Sequence, residues 1–520
     1  MATPREKFVE ALKHLQKLQD QGTVGIYSDE LHNRTYREIL VKNGFIKEVT
    51  KGWYIAVDPG EKQGDTTSWY SDYWEFCAKF LDYKYGNRWC LSADQSLLIH
   101  AENWTVPHQL MVRSPQGNNN PTPLPHNTSL FNLKTELPPK QQIVIEKGIR
   151  IYSLQAALVY STPTVFTRNA IDARTVLLLI RDASEVLPIL LENGHTTIAG
   201  RLSGAFSNIQ RDKIADQIME TMKQAGYDVR EEDPFEKKLI INLSSRERSP
   251  FVNRIKLMWI QMREIIIGDF PAPPGLPTNH EAYLQGVDEI YITDAYHSLS
   301  IERYKVTPDL IEKVSSGEWN SKENEVDRKQ RDAMAARGYY QAFQSVKETI
   351  VDILNGNNPG SQIDKDLSKW YRQLFDPSVT AGILKASDLA GFRNHQVYIG
   401  NSKHVPLSVE AMRDTMPILF ELLEQETEAS VRAVLGHFIF VFIHPYMDGN
   451  GRMGRFLMNT MLASGGYPWT VIPVEKRAEY MQALERASSY QDISPFSKFI
   501  AYLVNEAMEG KAVAVLPESK

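Results

Sequence analysis

Apolar residues recur at helical spacing near the start of the chain, where Phe8, Leu12, Leu15 and Leu18 stand between charged positions and predict a helix over 4–21. A second, shorter helix fits 35–41, with Thr35 as its N-cap. The period then changes. Residues 45–55 alternate apolar and polar around Lys51-Gly52, the pattern of a two-stranded wing, and helix, helix, hairpin suggests a small winged-helix unit. From 61 to 240 the pattern is mixed, with strands predicted at 109–113 and 148–152 and helices around 170–180 and 209–225. A helix over 252–267 then meets four prolines in eight residues (270–277), which end it and favour an extended, semi-rigid connector.

Past the prolines the pattern is helical, with helices predicted at 281–301, 308–314, 326–354, 366–375, 409–424, 430–443, 452–462, 476–487 and 495–507. One stretch departs from it. Residues 396–405 alternate around Gly400-Asn401 and predict a lone β-hairpin in an otherwise helical domain. The expected organisation is multidomain: a winged-helix-like domain over 1–60, a mixed α/β domain over 61–270, a linker over 271–279, a mainly α-helical domain with a hairpin flap over 280–510, and a tail over 511–520.

Composition changes this picture little. At 520 residues, with 42% hydrophobic and 23% charged residues, the chain has the make-up of a soluble globular protein of several domains. The net charge of −6 gives no overall bias towards nucleic acid, although Arg34, Arg37, Lys42, Lys47 and Lys51 would lie near the exposed face of the winged helix and make DNA a candidate partner. Two cysteines, Cys77 and Cys90, with no metal-ligand spacing, argue for a reducing compartment and against structural zinc. The charged stretch 1–8 lacks the apolar core of a signal peptide, and the apolar run 438–443 is too short to span a bilayer. A cytoplasmic protein without a membrane partner is expected, with the oligomeric state open and a dimer among the options.

The candidate chemistry sits at 444–455, His-Pro-Tyr-Met-Asp-Gly-Asn-Gly-Arg-Met-Gly-Arg. An apolar run ends there, breaks at Pro445, turns through glycines and re-enters an apolar run. Gly449 and Gly451 can expose N–H groups in a concave nest, and the helix that follows turns its positive end to the same spot. Arg452 and Arg455 add charges suited to phosphate oxygens, Asp448 is an oxygen ligand of the kind Mg²⁺ takes beside phosphates, and His444 is a candidate general base. Six specified positions at ordinary residue usage coincide by chance about 10⁻⁸ of the time. Elsewhere His100, His108, His126 and His195 are scattered and read as structural.

This loop resembles the Fic signature HxFx[DE]GNGRxxR, with Tyr446 in place of the usual Phe, and the resemblance extends over 280–510. It implies a nucleotidyltransferase that moves AMP from ATP to a Ser, Thr or Tyr hydroxyl of a protein target, the chain itself included. It further implies His444 as base, Asp448 as Mg²⁺ ligand, and Gly449, Asn450, Gly451, Arg452 and Arg455 on the phosphates. Tyr480 would wall the adenine pocket, and Gln396, Val397 and Tyr398 would form a flap that docks the target by main-chain pairing. Ser298 and Glu302 match the family's inhibitory pattern [ST]xxxE[GN] on a helix over 281–303. Glu302 would then pair with Arg455 and misplace the ATP γ-phosphate, while Arg303 stands where Gly or Asn is expected.

Residues 1–240 resemble AbiEi-type regulators through Lys51-Gly52-Trp53-Tyr54, Leu91-Ser92-Ala93 with Leu98-Ile99-His100, and the stretch 148–154. That implies a regulatory or antitoxin-like module. Two alternatives follow: a DNA-binding regulator or fused toxin–antitoxin whose Fic half senses nucleotide, and an enzyme in which Glu302 assists AMP removal.

Overall fold

Thr3 opens the first helix with a reciprocal cap, its hydroxyl accepting from the Glu6 N–H at 3.2 Å while the Glu6 carboxylate accepts from the Thr3 N–H at 2.7 Å. The computed structural model describes residues 3–517 apart from 62–63, 193, 237–248, 317–330, 383 and 390. The chain divides into two compact units, Met1–Arg254 with Tyr398–Val405, and Ile255–Val397 with Pro406–Lys520.

The first unit begins α1 (Pro4–Asp20), β1 (Ile26–Tyr27), α2 (Arg34–Lys42), β2 (Ile46–Thr50) and β3 (Trp53–Ala56). Its three strands form an antiparallel sheet in the order β1-β3-β2. The cap of α2 is Asn33, not Thr35: the Asn33 side chain accepts from the Tyr36 N–H at 2.9 Å, so the helix starts earlier than apolar spacing indicates. Next come α3 (Thr67–Tyr85), β4 (Cys90–Leu91), α4 (Ala93–His100), β5 (Gln109–Ser114), β6 (Pro121–Leu124), β7 (Thr128–Lys134), β8 (Ile143–Glu146) and β9 (Ile149–Tyr152). Strands β4-β5-β7-β6 make a sheet in that order, with β5 and β7 parallel, and β8-β9 pair as a hairpin. Helices α5 (Leu154–Tyr160), α6 (Pro163–Arg168), α7 (Ala170–Leu179), α8 (Leu187–Glu192), α9 (Thr196–Asn208) and α10 (Asp212–Gln224) complete it. The core is aromatic, and its indole N–H groups find acceptors: Trp69 on Thr128 Oγ1 at 3.0 Å and Trp74 on the Trp104 carbonyl at 2.7 Å.

The predicted hairpin at 396–405 does not form a strand ladder. Its turn is present, with Asn401 left-handed (φ 62°) and the Ser402 N–H on the Ile399 carbonyl at 3.1 Å. Its legs instead find other partners. Residues 398–405 belong to the first unit, where the Lys403 carbonyl accepts from the Val106 N–H at 3.0 Å.

The second unit takes most of α11 (Pro250–Asp269), then α12 (His280–Ile301), α13 (Pro308–Ser315), α14 (Arg331–Leu354), α15 (Pro359–Thr380), α16 (Val409–Gln425), α17 (Ala429–Ile443), α18 (Asn450–Ala463), α19 (Arg477–Tyr490) and α20 (Ser494–Met508). Residues 326–330 of the predicted 326–354 helix lie outside the described residues. Helix α17 is apolar almost all round and buried along its length, which makes it the central helix. The proline connector packs within this unit: the Gly275 N–H bonds the Gly465 carbonyl at 3.0 Å and Tyr467 donates to the Pro271 carbonyl at 2.7 Å. No helix among the described residues is long and apolar enough to cross a membrane.

One carboxylate bonds two residues of helix α11. Glu426 accepts from Arg263 at 2.9 and 3.1 Å and from the Trp259 indole at 3.1 Å. Glu426→Gln is expected to lower stability by about 2 kcal/mol, a value reduced for the partly exposed Arg263. Burial alone would raise the Glu426 pKa, but Arg263, the Glu428 N–H and Trp259 together hold it below its ordinary value. Its stabilisation is therefore full above the unfolded pKa and is lost as pH falls through the lower folded one. Thermal melts of both proteins at neutral and acid pH check this, with the difference between them shrinking in acid.

Candidate active site

The buried run of α17 stops because His444 turns left-handed (φ 56°, ψ 61°) and caps the helix, its N–H on the Phe440 carbonyl at 3.0 Å. Pro445 cannot continue the helix. Two devices then shape the loop. Tyr446 stacks flat on Tyr371, with centroids 3.8 Å apart and planes 7° from parallel. The Asn450 side chain clips the loop from the other side, accepting from the Tyr446 N–H at 2.9 Å and donating to the Tyr446 carbonyl at 2.8 Å. Gly449, left-handed at φ 83°, is the N-cap of α18, a conformation that other side chains resist. Its N–H goes to Asp448 Oδ1 at 2.6 Å, which leaves the first-turn N–H groups of Asn450 and Gly451, unpaired within a helix start, as the candidate anion cradle.

His444 Nδ1 lies 3.2 Å from the Val441 carbonyl, which assigns that nitrogen the proton and leaves Nε2 as an acceptor. Burial pushes its pKa down to about 4, helped by Arg393 and opposed by Glu302 and Asp448. The imidazole is therefore neutral at physiological pH, the state a general base requires.

Both arginines are buried. Arg452 lies between the rings of Tyr304 and Phe375 at 5.1 and 5.0 Å, with Nη2 3.5 Å from Asp448. Arg455 donates from Nε to Ser298 Oγ at 2.8 Å, and from Nη2 to the Ser298 carbonyl at 3.0 Å and Glu302 Oε1 at 2.8 Å. Burial works against the Arg455 charge, and the Glu302 carboxylate more than offsets it, so the pKa is raised. Arg452 Nε and Arg455 Nη1 are buried with no hydrogen-bond partner among the described residues, an arrangement that fits an incoming polyanion. The same spot already holds one anion: a β-carbon on Gly451 would lie 2.3 Å from Glu302 Oε1, so the carboxylate fills the space above the cradle.

The structure thus brings His444, Asp448, Gly449, Asn450, Gly451, Arg452, Arg455, Ser298 and Glu302 together. Tyr480 lies behind this group, close enough to Arg455 to act on its charge. Tyr480 is 1% exposed, packed on Phe496 and Phe499 and hydrogen-bonded to His437 Nε2 at 2.8 Å. At the flap, Gln396 is exposed and bonds the Pro406 carbonyl at 2.8 Å, Val397 is half-buried and Tyr398 is 40% exposed. Among the described residues no three His, Cys, Asp or Glu side chains gather as a metal site; the Asp448 carboxylate is largely exposed.

Several contributors escaped the sequence pattern. Arg477 donates to the Ile301 carbonyl at 2.7 Å and caps the end of α12, and Tyr339 donates to buried Asp294 at 2.6 Å on the same helix face as Ser298 and Glu302. Spacing offered one clue, since 294, 298 and 302 recur at four-residue intervals. The departure at Arg303 also has a physical reading. Arg303 is left-handed (φ 66°) and ends α12 in a Schellman turn, its N–H on the Ser300 carbonyl at 2.9 Å and the Tyr304 N–H on the Leu299 carbonyl at 3.1 Å. That position favours glycine, so Arg303→Gly is expected to stabilise the protein by about 1 kcal/mol in chemical denaturation.

Comparison with known proteins places a family at this site. Residues 363–462 match the Fic/DOC family, so the chain carries a Fic domain there. A curated relative, the protein adenylyltransferase Fic of Drosophila willistoni, is 38% identical over 122 residues, which is 23% of this chain and 24% of the relative. The chain thus spans about a quarter of the length of the curated relatives it matches. Among solved structures, Fic-1 (residues 134–508) from C. elegans is 16% identical with a TM-score of 0.37, over 67% of this chain and 97% of that one. A Fic domain containing signaling protein from Bacteroides thetaiotaomicron is 18% identical with a TM-score of 0.35, over 51% and 100%.

Proposed function

We propose that the protein is a protein adenylyltransferase held back by its own Glu302. The observation that carries this reading is the 2.8 Å bond between Glu302 and Arg455 above the α18 cradle, with His444 Nε2 left as an acceptor beside it. In the reaction, His444 Nε2 takes the proton of a Ser, Thr or Tyr hydroxyl of the target. The oxygen attacks the α-phosphorus of ATP in line, the bond to the β-phosphate oxygen breaks, and pyrophosphate leaves. The N–H groups of Asn450 and Gly451 hold phosphate oxygens, and Arg452 and Arg455 neutralise the β and γ ends. Asp448 fits Mg²⁺, which commonly takes one or two carboxylates with the rest of its shell from phosphates and water; bound there, the ion would neutralise phosphate charge. Positioning and charge supply most of the catalysis that this chemistry needs.

Incubation with α-labelled ATP and Mg²⁺ tests the proposal, comparing the parent, Glu302→Gly and His444→Ala. Label on a protein, strongest in Glu302→Gly and absent in His444→Ala, supports it; no label in any of them sinks it. Release of AMP from an already modified protein would instead assign the site to the reverse reaction.

A second reading concerns the first unit. The helix-strand-helix-hairpin order, with exposed Lys42, Lys47 and Lys51, supports a DNA-binding regulator whose Fic half senses nucleotide. Arg34 is already paired with Glu38 at 2.7 Å, which weakens that basic set. A mobility shift at low salt, lost on Lys47→Glu with Lys51→Glu, would support this reading, and absence of any shift would remove it.

A further inference from the structure

Arg393 is 2% exposed, and nearly every polar group it carries is spent on main-chain oxygens around the catalytic loop. Its own N–H donates to the Pro445 carbonyl at 2.8 Å and its Nε to the His444 carbonyl at 2.8 Å. Its Nη1 donates to the His395 carbonyl at 3.0 Å, and its Nη2 to the Leu407 carbonyl. Residues 395 and 407 are the two roots of the 396–406 loop, so one side chain bonds the base-bearing turn and both ends of the predicted flap. Among the described residues no carboxylate pairs with it, and burial pulls its pKa down. A buried cation without a counter-charge is expensive, and a stability role alone would be met more cheaply by apolar packing.

The two bonds to 444 and 445 also sit where the backbone needs them. His444 is held left-handed, a conformation unfavourable for a β-carbon-bearing residue, and it is this turn that points the imidazole out of the helix line. The fork of a guanidinium can reach carbonyls on several segments at fixed angles, which a lysine ammonium on a flexible stem cannot reproduce.

We propose that Arg393 is a positioning residue for adenylyl transfer, keeping the His444 imidazole in register by tying the 444–445 turn to the main chain at 395 and 407. This rests on the reaction proposed above. The nucleotide is held by other groups, so loss of Arg393 separates the two tasks: the rate falls while ATP binding stays. A displacement of a reacting group by about 1 Å costs roughly 100-fold in rate.

The experiment uses the full chain in the Glu302→Gly background, with Arg393→Gln and Arg393→Lys. Three readouts are taken: kcat and KM of label transfer, the ATP Kd by calorimetry, and the ¹H–¹⁵N ring signals of His444 by NMR, with the thermal melt as a check of folding. The expected result is a kcat lowered roughly 100-fold in Arg393→Gln and at least tenfold in folded Arg393→Lys, an ATP Kd changed less than about threefold, and shifted or broadened His444 ring signals. A kcat within twofold of the parent in the folded Lys variant, or a fall in rate matched by an equal loss of ATP affinity, would overturn the assignment. If the parent itself transfers no label, the reaction fails as proposed, and the ring signals alone decide whether Arg393 sets the histidine. Unchanged signals in Arg393→Gln would refute that too.

Discussion

Glu302→Gly is expected to raise the initial rate of label transfer by roughly 10- to 100-fold, read from α-labelled ATP at fixed protein concentration. The Arg455 Nη2 bond that Glu302 accepts is charge-assisted and largely shielded, since Arg455 is 3% and Glu302 29% exposed in the pair. Such a bond is worth about 1.5–3 kcal/mol, and a γ-phosphate seeking the same nitrogen must compete with it. Removing the carboxylate also clears the space above Gly451. Adding Arg455→Ala to Glu302→Gly should return the rate to the parental level or lower, because the freed guanidinium is the group the triphosphate gains. An unchanged rate in a folded Glu302→Gly protein would remove the brake from this account while leaving the transfer reaction standing. In the same scheme Arg303→Gly, by relaxing the end of α12, lowers the parental rate.

His444→Ala in the Glu302→Gly background should cost about 10²–10⁴ in kcat, the range for loss of a general base, with the ATP Kd little changed. The pH profile separates this from simple loss of shape. Burial holds the His444 pKa near 4, with Arg393 acting in the same direction and Glu302 and Asp448 against it. The imidazole is thus neutral throughout the neutral range, and if it is the base, the acid limb of kcat/KM is expected near pH 4 to 5, well below the 6.5 of an ordinary histidine. Stability follows the same sign: the unfolded chain binds the proton first, so the contribution of this residue is full above about 6.5 and declines as pH falls towards 4. An acid limb at 6.5 would mean that the imidazole is solvated in the working enzyme.

The motif loop was legible because its demands are local. A left-handed glycine, a helix N-terminus and arginines one turn apart are written in consecutive residues, and the meeting of Glu302 with Arg455 followed from a second short pattern. The helices were legible for the same reason, to within a few residues at most ends. What local pattern could not reach were partners distant in sequence. Arg393 lies 51 positions from the His444 carbonyl and Arg477 lies 176 from the one it caps, separations that no local spacing encodes. The hydrogen bond between Tyr480 and His437, 43 positions apart, is another contact that spacing does not encode. The 396–405 hairpin failed for a related reason. Alternation and a Gly-Asn turn specify extended legs, but which main chain they pair with is decided by what lies alongside.

That last segment has a consequence for how the polypeptide is made and cut. Because Tyr398–Val405 completes the first unit, a ribosome that has finished Arg254 has not finished that unit, and about 150 further residues must emerge before its last piece exists. The proline run looks like the natural place to split the gene. Fragments divided there would leave the first half lacking one of its own parts and the second carrying a loop whose hydrogen-bonding partners were left behind.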